Sequence, residues 1–397
     1  MVAFVVFRDV MAASRLVCAR LKRLPHVPTH EEQISRARKN AKKAVRLVRN
    51  GENAKRKHQV GEKQLLEEHA QHLAKPLRTC LRAFPPLSSF PPFERAVLEL
   101  TVGGKEYETA VLRAEQLRKQ LVQEGKEATK SVTEARNQKD REERMQLALD
   151  KMEHVLGKRR ADVERLVEVA KQLRRVPEVE EDKPTLVLVG APNVGKSSLV
   201  RKLSTGAPQV CHYPFTTRSI HMGHFHIHGV AHQVTDTPGL LRRPDEDRNR
   251  MEHLTLAAIQ HLPAVVLFVM DPTELCGTVW EDQVAIREEL RVRFPNRPWM
   301  DVLSKADLLQ EEDRTKASTS ICAAKHMNTT LMAPTVSIGK EELGEQVALG
   351  MLPVEEVVFV SCETDEGIEH LKAGLLRVFD GDAKLSDWRT KAGFVPT

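Results

Sequence analysis

Residues 185–197 read TLVLVGAPNVGKS, an apolar run delivered straight into the spacing GxxxxGKS, and the SLVRKL stretch that follows has helical character. The chemistry explains the spacing. Gly190 lets the chain turn sharply off a strand, and Gly195 lets successive backbone N–H groups face phosphate oxygens with no Cβ in the way. The following helix aims the positive end of its dipole at the same place. Lys196 then reaches the β- and γ-phosphates, while the Ser197 hydroxyl, with Ser198 next to it, ligates Mg²⁺. Strand, glycine turn and helix in this order predict a nucleoside triphosphate site in an α/β P-loop domain, with a mostly parallel sheet and helices on both faces.

Three further stations follow in the order a GTPase needs. Asp236-Thr237-Pro238-Gly239 closes the strand-like VAHQV; Asp236 can hold Mg²⁺ through water, and the Gly239 N–H can sense the γ-phosphate. Between P-loop and DTPG lies Tyr213-Pro214-Phe215-Thr216-Thr217, the expected first switch, where Thr216 or Thr217 closes over the magnesium. Base choice rests on Ser304-Lys305-Ala306-Asp307, after the strand-like WMDVL. The Asp307 carboxylate can accept from guanine N1–H and the exocyclic amine, which adenine does not offer, and so argues for GTP over ATP. The guanine-reading pattern is NKxD, and here Ser304 occupies the asparagine position. The shorter side chain is expected to lose one brace of the loop, keeping specificity and weakening affinity. Farther on, VVFVSCE brings Ser361 and Cys362 to where a backbone N–H can meet guanine O6, although an ordinary strand-to-helix turn reads the same way. Catalysis is expected of Lys196, Thr217, Asp236 and Gly239.

GAPNVGKSS, YPFTT, the segment DTPGLLRRPDEDRNRMEHLTLAAIQHL and VLFVMDPTELCG resemble the nucleolar GTP-binding protein 1 family, a branch of the Obg-related GTPases that acts in large ribosomal subunit assembly. The likeness continues upstream through CLRAFPPLSSFPPFERAVLEL and the helical stretch ending KQLRRVPEVEEDKPTLVLVG, which is similar to that family's N-terminal helical domain, so that it covers residues 75–380. The resemblance implies GTP and GDP as ligands, Mg²⁺ as cofactor, and precursor rRNA, ribosomal proteins and other assembly factors as partners. Two departures stand out. The family's nucleolar members continue in a long tail, whereas this chain stops soon after Trp388, so any function of that tail is expected to be missing or supplied by another protein. The interval 308–356, with KASTSICAAKHMNTTLMAPTVSIGKEELG, is unusually long and reads as a surface insertion.

Hydrolysis is expected to be slow. Leu240 follows DTPG, and a leucine cannot orient the attacking water as the glutamine of Ras-like proteins does; similar family members share the replacement. Asn193 matches the residue that in related GTPases helps hold K⁺ beside the phosphates, where the cation could stand in for an arginine; alternatively it braces the loop.

The chain has 397 residues with 41% hydrophobic content, enough for two domains with sizeable cores. No run of eighteen apolar residues suggests a transmembrane helix. Six scattered cysteines without a CxxC pair argue against a disulfide framework and a zinc ribbon. HFHIHG places His224, His226 and His228 on one side of a strand, with His212, His221 and His232 nearby, but the alternation fits a half-exposed hairpin better than a metal site.

Charge is concentrated at the start: residues 1–60 hold 15 Lys and Arg against 4 Asp and Glu, in a chain of net charge +6. Within 1–24, Arg8, Arg15, Arg20, Lys22 and Arg23 accompany the single acid Asp9, the pattern of a mitochondrial presequence; a basic helix of a nucleolar or cytosolic protein is the alternative. Beyond Pro25 and Pro28, Arg36, Arg38, Lys39, Lys42, Lys43, Arg46 and Arg49 could line a phosphate-binding helix that reads RNA shape, or a solvated face. From 62 to 176, Val111, Ala114, Leu117 and Leu121, and then Leu149, Met152, Leu156, Val163, Leu166, Ala170 and Leu173, recur at helical steps, predicting a small antiparallel bundle interrupted by Pro85-Pro86 and Pro91-Pro92.

The expected organisation is a targeting segment at 1–30, a basic RNA-binding arm at 31–60, an all-α bundle at 61–177, a linker at 178–184, a GTPase domain at 185–380 and a tail at 381–397. The expected function is slow GTP hydrolysis by a large-subunit assembly factor of the mitochondrial matrix, monomeric off the ribosome and not inserted in a membrane. The alternatives are a nucleotide-holding scaffold without turnover and a nucleolar or cytosolic assembly GTPase.

Overall fold

The computed structural model describes residues 16–17, 19–49, 54–177, 179–180, 183–216, 220–227, 229–331 and 357–380. The chain divides into two compact units, Cys18–Val176 and the remainder, Met1–Val17 with Pro177–Thr397.

The first unit is helical: α1 (Ala19–Lys22), α2 (His30–Arg49), α3 (Ala54–Arg82), α4 (Pro92–Thr101), α5 (Gly104–Thr133), α6 (Gln138–Lys158) and α7 (Arg160–Leu173). The prolines at 85, 86 and 91 interrupt the helices as expected, and Pro92 opens α4, where its missing N–H costs nothing. Leu66, Leu73 and Leu77 of α3 meet Leu117 and Leu121 of α5 and Met152 and Leu156 of α6 in one core, so the predicted apolar stripes are packing surfaces.

The boundaries differ at the N-terminal side. Residues 1–15 of the expected targeting segment lie outside the described residues, but Leu21, Leu24 and Val27 are 0%, 3% and 1% exposed, which places residues from Ala19 onward inside the helical unit. The expected arm is not a separate element either. Its first part is α2, whose Ala37 joins the bundle core and whose Arg38 pairs with Glu153 of α6 at 2.6 Å. Over residues 30–40 of α2, Gln33 and Ala37 are buried while Arg36, Arg38 and Lys39 are exposed, so this stretch reads as basic in sequence and packs as amphipathic. The linker also carries structure, since β1 (Leu16–Val17) pairs antiparallel with β2 (Val179–Glu180).

The second unit is built on a seven-stranded sheet ordered β4-β5-β6-β3-β7-β8-β9, where β3 is Thr185–Val189, β4 Gln209–Cys211, β5 Ile220–Ile227, β6 Val230–Thr235, β7 Ala264–Met270, β8 Trp299–Leu303 and β9 Val357–Phe359. The pairs from β6 through β3, β7 and β8 to β9 are parallel; β4–β5 and β5–β6 are antiparallel. All positions of β3 and β7 are buried, as two-sided cover of a parallel sheet requires. Leu186, Leu188, Val265 and Leu267 pack in one cluster with α8 (Lys196–Leu203) and α12 (Ile368–Asp380); Val187, Val189, Val266 and Phe268 alternate with them on the opposite face, and α9 (Arg250–His261) packs on β3 and β7. The GTPase-type α/β architecture is therefore as expected. Helix α10 (Trp280–Arg293) precedes β8. The interval read as a surface insertion opens with a regular helix, α11 (Glu311–Leu331); its remainder, 332–356, and the tail 381–397 lie outside the described residues. Among the described residues, no helix is long and apolar enough to cross a membrane.

Candidate functional site

The P-loop leaves β3 with Gly190 at φ 150°, and a Cβ there would stand 2.1 Å from the Val269 carbonyl oxygen, so only glycine fits against β7. The loop delivers Lys196 and Ser197 to the first turn of α8. Lys196 is 6% exposed and its Nζ donates to the carbonyls of Ala191 (2.6 Å) and Gly190 (3.2 Å). Ser197 Oγ is hydrogen-bonded to Asp236 Oδ2, and His221 Nδ1 lies 3.9 Å from the same oxygen. Asp236 is 7% exposed, and its Oδ1 is buried with no hydrogen-bond partner among the described residues. Burial pushes its carboxyl above the usual range, against the pull of the Ser197 hydroxyl, the Lys196 ammonium and His221. A buried, under-coordinated carboxylate beside a serine hydroxyl is a donor set that suits a hard divalent cation; Ser197 and Asp236 are the residues that would hold Mg²⁺ here.

A cleft of about 590 Å³ joins these groups: Asn193, Gly195, Lys196, Ser197 and Ser198 on one wall, Asp236 and Gly239 on the other. Asn193 sits in the left-handed region at φ 60°, exposed, and its side chain makes no hydrogen bond among the described residues, so it does not brace the loop. Thr216 is spent locally, its Oγ1 donating to the Tyr213 carbonyl at 2.9 Å; Thr217 lies outside the described residues. Leu240 is fully buried, and its N–H donates to the Gly190 carbonyl at 3.1 Å. Its side chain belongs to the core, as unfit to orient water as its chemistry suggested.

The sequence reading missed the rest of that wall: Ile220, Leu241, Arg243, Asn249 and Met251. Leu241, Arg243 and Asn249 are held by one residue, Glu252, which is 1% exposed. Its Oε1 accepts from the Leu241 N–H at 3.1 Å and lies 3.2 Å from Arg243 Nε, and its Oε2 accepts from the Asn249 N–H at 3.0 Å. Asn249 returns the favour by capping α9, accepting from Met251 and Glu252 N–H. The signal was present as Asn249 and Glu252 at capping-box spacing. Outside this loop, Arg242 pairs with Asp282, Arg248 with Glu289 and Asp245 with Arg293, three ties to α10.

At the far end of the sheet edge, Ser304 and Lys305 follow β8. Ser304 Oγ donates to the Met270 carbonyl at 3.0 Å, so the serine keeps one brace to the end of β7. Asp307 is exposed and its carboxylate has no partner among the described residues. Ser361 is fully buried, with Oγ accepting from Glu363 and Thr364 N–H at 3.2 Å; the Cys362 thiol is pushed up to about 11 by burial and stays neutral. A Cβ on Gly195 would stand 3.9 Å from Ser304 Cβ, so the P-loop and the Ser304–Asp307 loop adjoin. Of the histidines, His224 and His226 are exposed on β5, His232 packs on Phe225 and Phe379, and His228 lies outside the described residues. Among the described residues no group of three His, Cys, Asp or Glu could hold a metal ion.

Two family models match the chain: the NOG1 N-terminal helical domain over residues 21–180 and nucleolar GTP-binding protein 1 (NOG1) over residues 250–307. The chain belongs to the nucleolar GTP-binding protein 1 family. Curated family members include the Saccharomyces cerevisiae protein, 32% identical over 239 residues (59% of this chain, 36% of the relative), and that of Encephalitozoon cuniculi, 34% identical over 243 residues (61% and 46%). The chain thus spans less than half the length of these relatives. Among solved structures, a Plasmodium falciparum chain described as a nucleolar GTP-binding protein 1 is 26% identical, covers 54% of this chain and 97% of its own, and superposes with a TM-score of 0.38. The nucleolar GTP-binding protein 1 match over 250–307 takes in α9, Asp271 and the guanine-reading loop; the helical-domain match begins at residue 21, in the helix that opens the first unit.

Proposed function

We propose that this chain binds GTP with Mg²⁺ in the cleft, hydrolyses it slowly to GDP and phosphate, and serves thereby as an assembly factor of the large ribosomal subunit. The observation that carries the proposal is the convergence of Lys196 and Ser197 with Asp236 and Gly239, from two separate stretches of sequence, on one cleft, with the loop that carries Asp307 adjoining the P-loop at Ser304. Lys196 and the P-loop N–H groups bind the β- and γ-phosphates, Gly239 N–H reports the γ-phosphate, and Asp307 selects guanine. Bound Mg²⁺, held at Ser197 and Asp236 with Thr217 as the further proposed ligand, supplies charge neutralisation at the β- and γ-oxygens. The exposed, unbonded Asn193 side chain supports a K⁺ ligand role. Turnover on the order of 10⁻⁴ to 10⁻² s⁻¹ is expected, since Leu240 orients no water. The basic residues of 31–60 are the proposed rRNA contact, with Arg38 already committed to Glu153.

The burial of Leu240 favours a second reading, a scaffold that holds GTP without turnover. Single-turnover GTP hydrolysis on large-subunit precursors separates the two: no phosphate release above background leaves only the scaffold. For the compartment, the relatives' names favour the nucleolus over the mitochondrial matrix. A reporter fused to residues 1–30 decides, because only a targeting sequence would carry it into mitochondria.

A further inference from the structure

Asp271 closes the seven-residue apolar strand β7 and is fully buried. Four donors converge on its carboxylate. Oδ1 accepts from Thr273 N–H at 3.0 Å and Thr273 Oγ1 at 2.5 Å, and Oδ2 accepts from Cys276 N–H at 2.8 Å and Lys305 Nζ at 2.6 Å. That number fills the lone-pair capacity of an ionised carboxylate. The backbone of Asp271 is held just as firmly. Its N–H donates to Gln283 Oε1 at 2.8 Å and its carbonyl accepts from Gln283 Nε2 at 3.0 Å, and Gln283 is itself 1% exposed on α10.

The lysine held by this network is the middle of the guanine-reading loop. Lys305 adopts the left-handed conformation, φ 57°, so its backbone follows no regular element, and its side chain is partly exposed. On one side Ser304 is anchored to the Met270 carbonyl, and on the other the Ala306 N–H donates to the Val360 carbonyl at 3.0 Å. Among the described residues, the ion pair alone fixes the side chain between them. Where the family pattern places an asparagine, this chain has Ser304, whose hydroxyl reaches the Met270 carbonyl, and the buried Asp271 charge lies one residue beyond that anchor point.

We propose that Asp271 is a positioning residue for guanine recognition: through Lys305 it sets the loop that presents Asp307 to the base, taking over the bracing that Ser304 gives up. The inference rests on reading the cleft as a guanine nucleotide site. Asp271→Asn is nearly isosteric and keeps one acceptor oxygen, enough for the two Thr273 donors, but it puts an amide nitrogen opposite Cys276 N–H and removes the charge that holds the ammonium.

The test is titration of the full chain with GDP and a non-hydrolysable GTP analogue, together with steady-state hydrolysis. Asp271→Asn should weaken both ligands about tenfold and raise KM for GTP by a like factor, with a smaller fall in kcat. Ser304→Asn added to Asp271→Asn should recover several-fold in affinity, a rescue that a merely structural aspartate would not show. Affinity within twofold of the parent, or no rescue by Ser304→Asn, overturns the proposal. If Asp271→Asn does not fold, Lys305→Met serves: it should lose both affinity and melting temperature, because it strands a buried carboxylate. Lost affinity with an unchanged melting temperature would mean that Asp271 does not hold the lysine. A parent chain that binds neither nucleotide refutes the reading of the site instead, so the two failures are distinguishable.

Discussion

Gly239→Ala puts the smallest possible addition at the point where the second switch meets the P-loop. A Cβ there would stand 2.4 Å from Pro192 N, 2.6 Å from its Cα and 2.7 Å from its Cγ, whereas ordinary contact begins at 3.4 Å. The two loops must separate by about 1 Å, and the backbone atoms in the way cannot rotate aside. Separation stretches the Leu240 N–H to Gly190 carbonyl bond, now 3.1 Å. Crowding and the strained buried hydrogen bond together cost about 3 kcal/mol, since overpacking and an unpaired buried group each add about 1–3 kcal/mol. If the Gly239 N–H must reach the γ-phosphate, that cost falls on the triphosphate complex alone, or about 100-fold in affinity. Calorimetric titration of the variant should therefore show GTP-analogue affinity down by about two orders of magnitude and GDP affinity down by less than threefold. An unchanged ratio of GTP-analogue to GDP affinity would refute the argument that this approach senses the γ-phosphate.

Asp307→Asn should shift preference from guanine to xanthine nucleotides, read by competition binding, since the amide offers a donor where the carboxylate only accepted. Arg287→Met should destabilise the second unit by about 3 kcal/mol, because Arg287 is fully buried and grips Asp301 at 2.9 and 2.6 Å, and its loss leaves the Asp301 carboxylate to Arg291; thermal melting tests it, and Asp301→Leu added to it should recover most of the loss. His69 is 1% exposed and burial lowers its pKa from 6.5 despite Glu153 nearby. Its unfolded form binds the proton first, so stability should be full above pH 6.5 and fall on acidification below it; His69→Leu should flatten that fall in melts between pH 5 and 7. Replacing K⁺ by Na⁺ should slow hydrolysis if Asn193 ligates the cation, and equal rates in the two salts would remove Asn193 from the mechanism.

The P-loop, DTPG and the Ser304–Asp307 loop were legible as motifs because each is short and contiguous, with a geometry set by neighbouring residues. The sheet followed from strand-length apolar runs ending at those motifs. The helical unit's beginning was not legible: Leu21, Leu24 and Val27 lie among arginines and lysines, and composition averages over the few side chains that are buried. Long-range polar pairs were equally hidden. Asp271 with Lys305, Arg287 with Asp301, and Arg38 with Glu153 join residues that only the fold brings together, and no local periodicity marks a charge whose partner is on another element. Glu252 lay in between, its capping-box spacing visible and its grip on Leu241 and Arg243 not.

That grip has a mechanical meaning. Leu241, Arg243 and Asn249 all terminate on a single carboxylate, while Arg242, Asp245 and Arg248 of the same segment are tied to α10. The two sets of fastenings thus face different supports. Losing Glu252 would free the side of the loop that lines the cleft and leave the side against α10 held, whereas keeping it couples the loop to the first turn of the following helix. A partner that pulls on any exposed part of this coupled unit would therefore be felt at the phosphate end of the cleft.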